Sequence, residues 1–167
     1  MKNLSLLFAL LFGGTMWLAA QSQKVPPCSA PAYRQFDFWI GEWDVFVNDE
    51  LVGTNKIEPI LDGCTLLENW VSTKQSKGHS FNSYNRGTKQ WEQTWVDNFG
   101  SIIHFYGTYA DRKMSFTAED LDLKGEKVYY RFTFFNNENG TVRQLWESSS
   151  DKTEWRIVFD GLYKKRT

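Results

Sequence analysis

The sequence has few of the side chains on which most enzymes depend. His79 and His104 are its only histidines, the side chains whose ordinary pKa lies near neutrality. It contains no Gly-x-Ser-x-Gly motif, no cysteine and histidine spacing typical of a metal site, and no glycine-rich loop typical of phosphate binding. Glu68 and Glu147 could form an acid–base pair, but nothing in the sequence places them together. These absences argue against a hydrolase or a metalloenzyme.

The chain also lacks an excess of charge of either sign. Its 19 basic and 20 acidic residues leave a formal net charge of −1, so no electrostatic reason exists to expect nucleic acid or an anionic membrane as a partner. No repeat, low-complexity tract or linker divides the 167 residues. This length predicts one domain with a sizeable core.

Only one long apolar run is present, at the N-terminus. Lys2 is followed by an apolar segment at residues 4–12 and by the small-residue end Leu18-Ala19-Ala20. This order is typical of a secretory signal peptide, which we place at residues 1–20. A permanent anchor needs about 18–20 uninterrupted apolar residues, and Gly13-Gly14-Thr15 interrupts the run. We therefore expect an exported protein, periplasmic or secreted, with no stable membrane span after cleavage.

Cysteine is scarce, with Cys28 and Cys64 as the only two. In an oxidising compartment an even number of cysteines favours a disulfide. A bridge would tie a proline-rich arm, residues 21–34, to the main domain, residues 35–167. Two free thiols are the alternative, because the sequence does not give the distance that a bridge requires.

Aromatic residues are abundant, at 17% of the chain, and they fall in alternating runs separated by turn residues. No helical period competes with these runs. We predict an all-β fold, an up-and-down antiparallel β-barrel of about ten strands, with a β-sandwich as the alternative. The predicted strands are 43–47, 51–60, 65–73, 79–85, 90–96, 101–109, 113–123, 126–136, 141–149 and 153–164.

A dense apolar stretch precedes the first strand. Phe36, Phe38 and Trp39 are too crowded for a surface loop and too close to Gly41 for an ordinary helix. They predict a single helical turn that closes one end of the barrel, with Trp43 at the mouth of the first strand.

Gly41-Glu42-Trp43 resembles the Gly-x-Trp opening of lipocalins and their calycin relatives, in which a Trp of the first strand closes the bottom of the barrel. A longer similarity continues through 61–70, 91–97 and 142–147. Over roughly residues 34–164 the chain resembles a domain-of-unknown-function family of bacterial proteins, similar in build to the nitrobindin-like barrels. The resemblance implies a calycin-like fold and, through nitrobindin, raises haem as a cofactor.

A haem iron would need a histidine that faces the lumen, and His104 does so in the predicted register. In the haem-binding barrels the ligand lies near the end of the chain, where residues 155–163 contain no histidine. We therefore predict no cofactor.

Turn positions predict which side chains face the interior from Gln90 onward, because opposed residues of a hairpin share a face. The earlier strands cannot be oriented in this way. One apolar set, Val128, Tyr130, Phe132 and Phe134, falls outside and predicts a shift of register, or cover by the arm or by a partner subunit. The inward set forms the predicted ligand-binding site: Trp91, Gln93, Trp95, His104, Tyr106, Arg131, Gln144 and Trp146.

We expect this site to hold a small hydrophobic or amphipathic molecule, with Arg131 and a neighbouring amide or imidazole on its polar head. Two alternatives stay open: a polar network that only satisfies itself, and a non-catalytic envelope module whose lumen is packed solid. A ligand site requires a cavity of at least about 300 Å³.

The mass of the mature protein tests export. If residues 1–20 are cleaved, the chain purified from its native host begins close to Gln21, and its intact mass corresponds to residues 21–167. A mass corresponding to residues 1–167 would remove the argument for secretion and for an oxidising compartment.

Overall fold

The structure is a computed structural model that describes residues 25–166. The predicted signal peptide and the first residues of the arm lie outside the described residues. Three short 3-10 turns are present, at Pro31–Arg34, Asp37–Trp39 and Leu61–Gly63. The strands are β1 (Gly41–Val47), β2 (Glu50–Ile60), β3 (Thr65–Ser72), β4 (Lys77–Asn85), β5 (Gln90–Asp97), β6 (Ile102–Ala110), β7 (Lys113–Leu121), β8 (Lys127–Asn136), β9 (Val142–Ser149) and β10 (Arg156–Lys165).

Each strand pairs with its successor in antiparallel fashion, and β10 pairs with β1. The last ladder runs from Trp43 opposite Lys165 to Phe46 opposite Leu162. The ten strands therefore form a closed up-and-down barrel, which confirms the predicted fold class and excludes the sandwich. Closure pairs the two edges that an open sheet would expose. Within residues 25–166, no helix is long and apolar enough to cross a membrane.

The N-terminal residues close one end of this barrel, as predicted. Phe36 and Trp39 are fully buried and stack with their ring centroids 4.9 Å apart, and Phe36 lies 5.2 Å from Phe134 of β8. Trp43 is 1% exposed and donates from Nε1 to the Trp39 carbonyl at 2.8 Å. Phe38 packs at the margin, partly buried. The end at which β1 begins is thus filled by aromatic side chains.

A disulfide fastens the arm to the same end. Cys28 and Cys64 are bridged, with their Cα atoms 5.1 Å apart, so the free-thiol alternative is wrong. Cys64 follows the tight β2–β3 connection, where Gly63 has a positive φ of 81° and its carbonyl accepts a hydrogen bond from Arg34. The bridge and this hydrogen bond hold the arm against the connection.

Loop lengths differ from the predicted turns and change the register. Between β5 and β6 the connection has four residues, 98–101, whereas the orientation expected from the sequence assumes a two-residue turn at Asn98-Phe99. The Asp97 carboxylate holds this loop by accepting from the backbone N–H groups of Phe99 at 2.9 Å and Ser101 at 3.0 Å. Trp95 consequently lies opposite Ile103 instead of Ile102.

This shift overturns the predicted orientation of His104 and Tyr106. Both side chains are exposed on the outer face, while Ile103 and Phe105 of the same strand are buried in the interior. A change of one residue in pairing moves every side chain of a strand to the other face.

A similar shift occurs between β7 and β8, where five residues, 122–126, connect the strands. The Asp122 carboxylate accepts from the N–H groups of Lys124 at 2.8 Å and Glu126 at 2.9 Å, and these bonds lower the pKa of that carboxyl. Phe116 therefore lies opposite Phe132. Arg131, which was predicted to face inward, is exposed on the outer face.

The same shift corrects the predicted outer apolar surface of β8. Phe132 and Phe134 are buried in the core, and Tyr130 packs against it. Val128 lies on the same face of the strand, since side chains alternate. Tyr130, Phe132 and Phe134 therefore face the interior of the barrel, whereas Tyr129 and Phe135 lie on the outer face beside lysine and arginine side chains.

Replacing Trp43 tests the closed end. Trp43→Ala should lower the free energy of unfolding by about 3–5 kcal/mol, because it removes a buried aromatic ring and leaves a cavity. Denaturant unfolding measures the loss. Trp155→Ala is the matched control, because Trp155 packs against Arg131 outside the barrel and its removal should cost about 1 kcal/mol or less. Equal losses in the two variants would mean that Trp43 does not close the barrel.

Candidate ligand-binding site

The barrel contains a cavity of about 470 Å³ at the end opposite the aromatic plug. Its mouth includes Val47, Ser72 and Asp97, which end β1, β3 and β5, whereas the plug lies where β1 begins. The loops that follow these strands surround the opening. The interior is therefore filled at one end and hollow at the other.

Aromatic rings form most of the cavity wall. Two pairs are in edge-to-face contact: Trp70 with Phe159, at 6.1 Å between centroids, and Phe105 with Phe132, at 4.5 Å. Such contacts hold the rings in fixed positions. The aromatic side chains that line the cavity are Trp70, Trp95, Phe105, Phe132, Trp146, Phe159 and, at the inner end, Tyr163.

Two glycines make room for this wall. A Cβ atom on Gly78 would overlap the ring of Trp95, and a Cβ atom on Gly53 would overlap the ring of Trp70. Each indole can therefore lie flat across the backbone of the neighbouring strand. Close approach of this kind requires a residue without a side chain.

The inner end of the cavity is polar, and its central group is Glu68, which is only 5% exposed. Asn55 donates from Nδ2 to Glu68 Oε1 at 2.7 Å, and Ser80 donates from Oγ to Oε2 at 2.6 Å. The same Asn55 nitrogen lies 3.4 Å from the Tyr163 hydroxyl. Neighbouring strands thus hold both carboxylate oxygens in place.

Further hydrogen bonds extend this polar layer across the barrel. On one side Asn82 donates to Ser80 Oγ at 2.8 Å, and Gln93 donates from Nε2 to Asn82 Oδ1 at 2.6 Å. On the other side the Tyr163 hydroxyl donates to Gln144 Oε1 at 2.6 Å. The layer therefore draws on six strands, β2 to β5, β9 and β10.

Among the described residues, the charge of Glu68 has no partner of opposite sign. None of the ion pairs within residues 25–166 includes it. Burial raises the pKa of Glu68 to about 7, although the hydrogen bonds from Ser80 and Asn55 oppose the rise. Burial and the nearby Glu68 carboxylate together raise the pKa of Tyr163. A small change of pH or a bound charge can therefore change the ionisation of Glu68.

Two buried polar atoms beside the cavity have no hydrogen-bond partner in the part of the chain that the structure describes. They are Nε1 of Trp146, whose side chain lines the cavity, and Oδ1 of Asn55, whose amide bonds to Glu68. Buried polar atoms are normally paired. Both are available to water or to a guest molecule.

The structure divides the eight predicted binding residues into three groups. Gln93, Trp95, Gln144 and Trp146 line the cavity. Trp91 is buried nearer the plug, 5.7 Å from Phe36 in edge-to-face contact, and does not line it. His104, Tyr106 and Arg131 are on the outer face.

Arg131 has partners of its own outside the barrel. Its guanidinium makes a two-point ion pair with Glu147, at 2.7 and 2.9 Å, and lies 4.1 Å from the ring centre of Trp155. It cannot hold the polar head of a molecule in the lumen. Glu147 is likewise outside, so it cannot act together with Glu68 on one substrate.

The histidines are outside as well. His79 and His104 are both exposed, and His104 Nδ1 lies 3.2 Å from the Thr94 hydroxyl. Neither imidazole lines the cavity. The side chains that face the lumen therefore do not fit a histidine-ligated haem.

Sequence reasoning named Glu68 only as a possible acid–base group without placing it in the lumen, and it missed Asn55, Ser80 and Asn82, because the strands before Gln90 were left without orientation. The alternation of residues along β3 could have predicted that Glu68 faces the interior. Glu68 lies two residues from Leu66 and two from Trp70, so all three share a face of β3. A strand with leucine and tryptophan on its inner face also carries the glutamate inward.

The pH dependence of stability tests the burial of Glu68. The pKa of Glu68 is higher in the folded protein, at about 7, than its ordinary value of 4.5, so this group stabilises the fold fully below about pH 4.5. The contribution is lost as the pH rises through about 7. Between pH 5 and pH 8 the loss should be about 2–3 kcal/mol relative to Glu68→Gln, which has the same shape and does not titrate. Urea unfolding of the parent and of Glu68→Gln at pH 5 and pH 8 measures this loss. If the free energy of unfolding changes equally in both proteins, Glu68 is solvated and not buried.

The closed ten-stranded barrel is consistent with the calycin-like fold that the Gly-x-Trp resemblance implies. The narrower resemblance, to one bacterial family, stays a prediction. No protein-family model and no curated protein matches the chain.

Proposed function

We propose that this protein binds a small hydrophobic or amphipathic molecule inside its barrel. The observation that supports this proposal is the cavity of about 470 Å³, which lies within the range of about 300–1,000 Å³ typical of ligand pockets. A structural module with a solid core would fill this volume with side chains. The cavity therefore favours a binding function over the filled-barrel alternative.

The lining has the composition expected of a ligand pocket. Such pockets have mostly apolar and aromatic walls with a few polar groups that orient the guest. Here the aromatic wall surrounds the hollow, and Glu68, Gln93 and Gln144 lie at its inner end. A guest would place its apolar part between the rings and its polar end toward these three side chains.

An estimate of the binding free energy indicates that contacts with the polar end of the guest contribute to its affinity. Burying about 300 Å² of apolar surface gains roughly 7 kcal/mol, at about 25 cal/mol per Å². Association costs at least about 4 kcal/mol in lost freedom of motion, so a guest of this small size that relies on apolar burial alone has a dissociation constant above about 1 mM. A larger apolar molecule buries more surface and binds more tightly. Tighter binding of a small guest requires favourable contacts at the polar layer.

We also propose that the protein acts after export. The Cys28–Cys64 bridge supports this location, because disulfides persist mainly in oxidising compartments. The N-terminal sequence supports it independently, since residues 1–20 have the order of a signal peptide. A soluble binding protein in such a compartment would meet its guest outside the cytoplasm.

A neutral apolar dye tests binding in the lumen. Nile red should bind the parent protein with a rise in fluorescence. Val52→Trp should weaken this binding at least tenfold, because Val52 lines the cavity and an indole there would occupy part of it. Fluorescence titration of the purified proteins gives the dissociation constants.

The matched control is Val71→Trp. Val71 is 44% exposed on the adjacent strand β3 and does not line the cavity, so the same substitution there should leave dye binding unchanged. Equal weakening by both substitutions would place the dye outside the lumen. No uptake by the parent protein at high micromolar dye would contradict the proposed function.

A further inference from the structure

The cavity has a negative group at its inner end, and no positive group of the described residues forms an ion pair with it. Glu68 is buried there without an ion pair in the part of the chain described, residues 25–166. The other ionisable side chains of the lining are Tyr163, in the polar layer, and Lys74 and Asp97, in the loop and strand end at the mouth. A buried carboxylate is costly unless a cation pairs with it.

The hydrogen bonds of Glu68 leave room for such a cation. Each of its carboxylate oxygens accepts one hydrogen bond, from Asn55 or from Ser80, and a carboxylate has about four acceptor positions. Oδ1 of Asn55 adds another acceptor without a partner among the described residues. The unused capacity at Glu68 and Asn55 is therefore that of acceptors, which suits a guest that donates hydrogen bonds, although Trp146 Nε1 in the cavity wall is an unpaired donor among the described residues.

The aromatic wall is also free of cations. Lysine and arginine groups lie over five rings of the described residues, but none of these rings belongs to the cavity lining. Trp70, Trp95 and Trp146 line the space next to Glu68. Indole faces attract organic cations, most strongly where water is excluded.

We propose that the guest is an amphipathic amine, whose ammonium group pairs with Glu68 while its apolar part lies between the tryptophan and phenylalanine rings. This inference rests on the proposed function and names the chemical class of its ligand. It reverses the polarity expected from the sequence, in which the positively charged Arg131 would have held the polar head of the guest. A fatty acid would bring a second carboxylate against Glu68, and two adjacent carboxylates repel each other.

Amine binding should depend on pH with a definite sign. The ion pair needs ionised Glu68, whose pKa of about 7 leaves it mostly protonated at pH 5 and mostly ionised at pH 8. Tyr163 stays neutral over this range, because its own pKa is raised. Burial raises the pKa of Asp97 less than the hydrogen bonds of its loop lower it, so Asp97 stays ionised. Amine affinity should therefore rise with pH.

The test compares three guests of equal chain length: octylammonium, 1-octanol and octanoate. Isothermal titration at pH 8 should give the parent protein at least tenfold higher affinity for octylammonium than for octanol, and the weakest affinity for octanoate. Octylammonium should bind at least tenfold more weakly at pH 5 than at pH 8. Octanol should bind with similar affinity at both values.

Two variants distinguish an effect of the Glu68 charge from an effect of the net charge of the protein. Glu68→Gln should weaken octylammonium binding at least tenfold and leave octanol binding within about twofold, which also shows that the variant is folded. Glu147→Gln removes the same charge from the outer face and should leave the binding of all three guests unchanged. Equal loss of octylammonium binding in both variants would overturn the pairing with Glu68.

The failures of the two proposals can be distinguished. If octanol or Nile red binds but octylammonium has no advantage, the amine inference is wrong and the proposed function stands. If neither the dye nor any of the three guests binds, both are wrong.

Discussion

Closure of the hydrogen-bonded ladder between β1 and β10 is the constraint on which the other features depend. Once the sheet closes, one face of every strand must lie in a common interior, and the contents of that interior decide what the barrel can do. At the end where β1 begins, Phe36 and Trp39 of the N-terminal turn pack against the inner residues of β8 and fill the space. No segment of the described chain enters from the opposite end in the same way, and the cavity is there.

The polar layer separates these two halves. A buried layer of asparagine, serine, glutamine and glutamate stabilises less than an apolar core of equal size, because each group gives up hydrogen bonds to water. The hydrogen bonds from Asn55, Ser80 and Asn82 offset most of that cost. The hydrogen bonds do not compensate the free energy that the buried charge of Glu68 costs the folded barrel. A positively charged guest would reduce this cost, so the same carboxylate affects both the stability of the barrel and the charge of the guest that it favours.

The outer face satisfies its charges differently. Arg131 with Glu147, and Arg143 with Asp160, form two-point ion pairs across neighbouring strands. Each arginine of these pairs stays partly exposed to solvent, which screens its charge. The register of β8 and β9 places both arginines on the outer face, so neither can neutralise Glu68 in the lumen.

Patterns along the chain were sufficient for the barrel, its aromatic plug and four residues of the cavity wall, because turn residues and alternating apolar runs are local features. Local sequence did not determine which side chains of a strand face the interior. The orientation depended on Asp97 and Asp122, whose carboxylates hold loops longer than the two-residue turns that the sequence suggested, and each loop changed the pairing of the next strand by one residue. His104, Tyr106 and Arg131 moved outside for this reason. The isolation of Glu68 likewise became visible only when strands distant in sequence were brought together around it, since the burial and charge of a side chain are set by its neighbours in space.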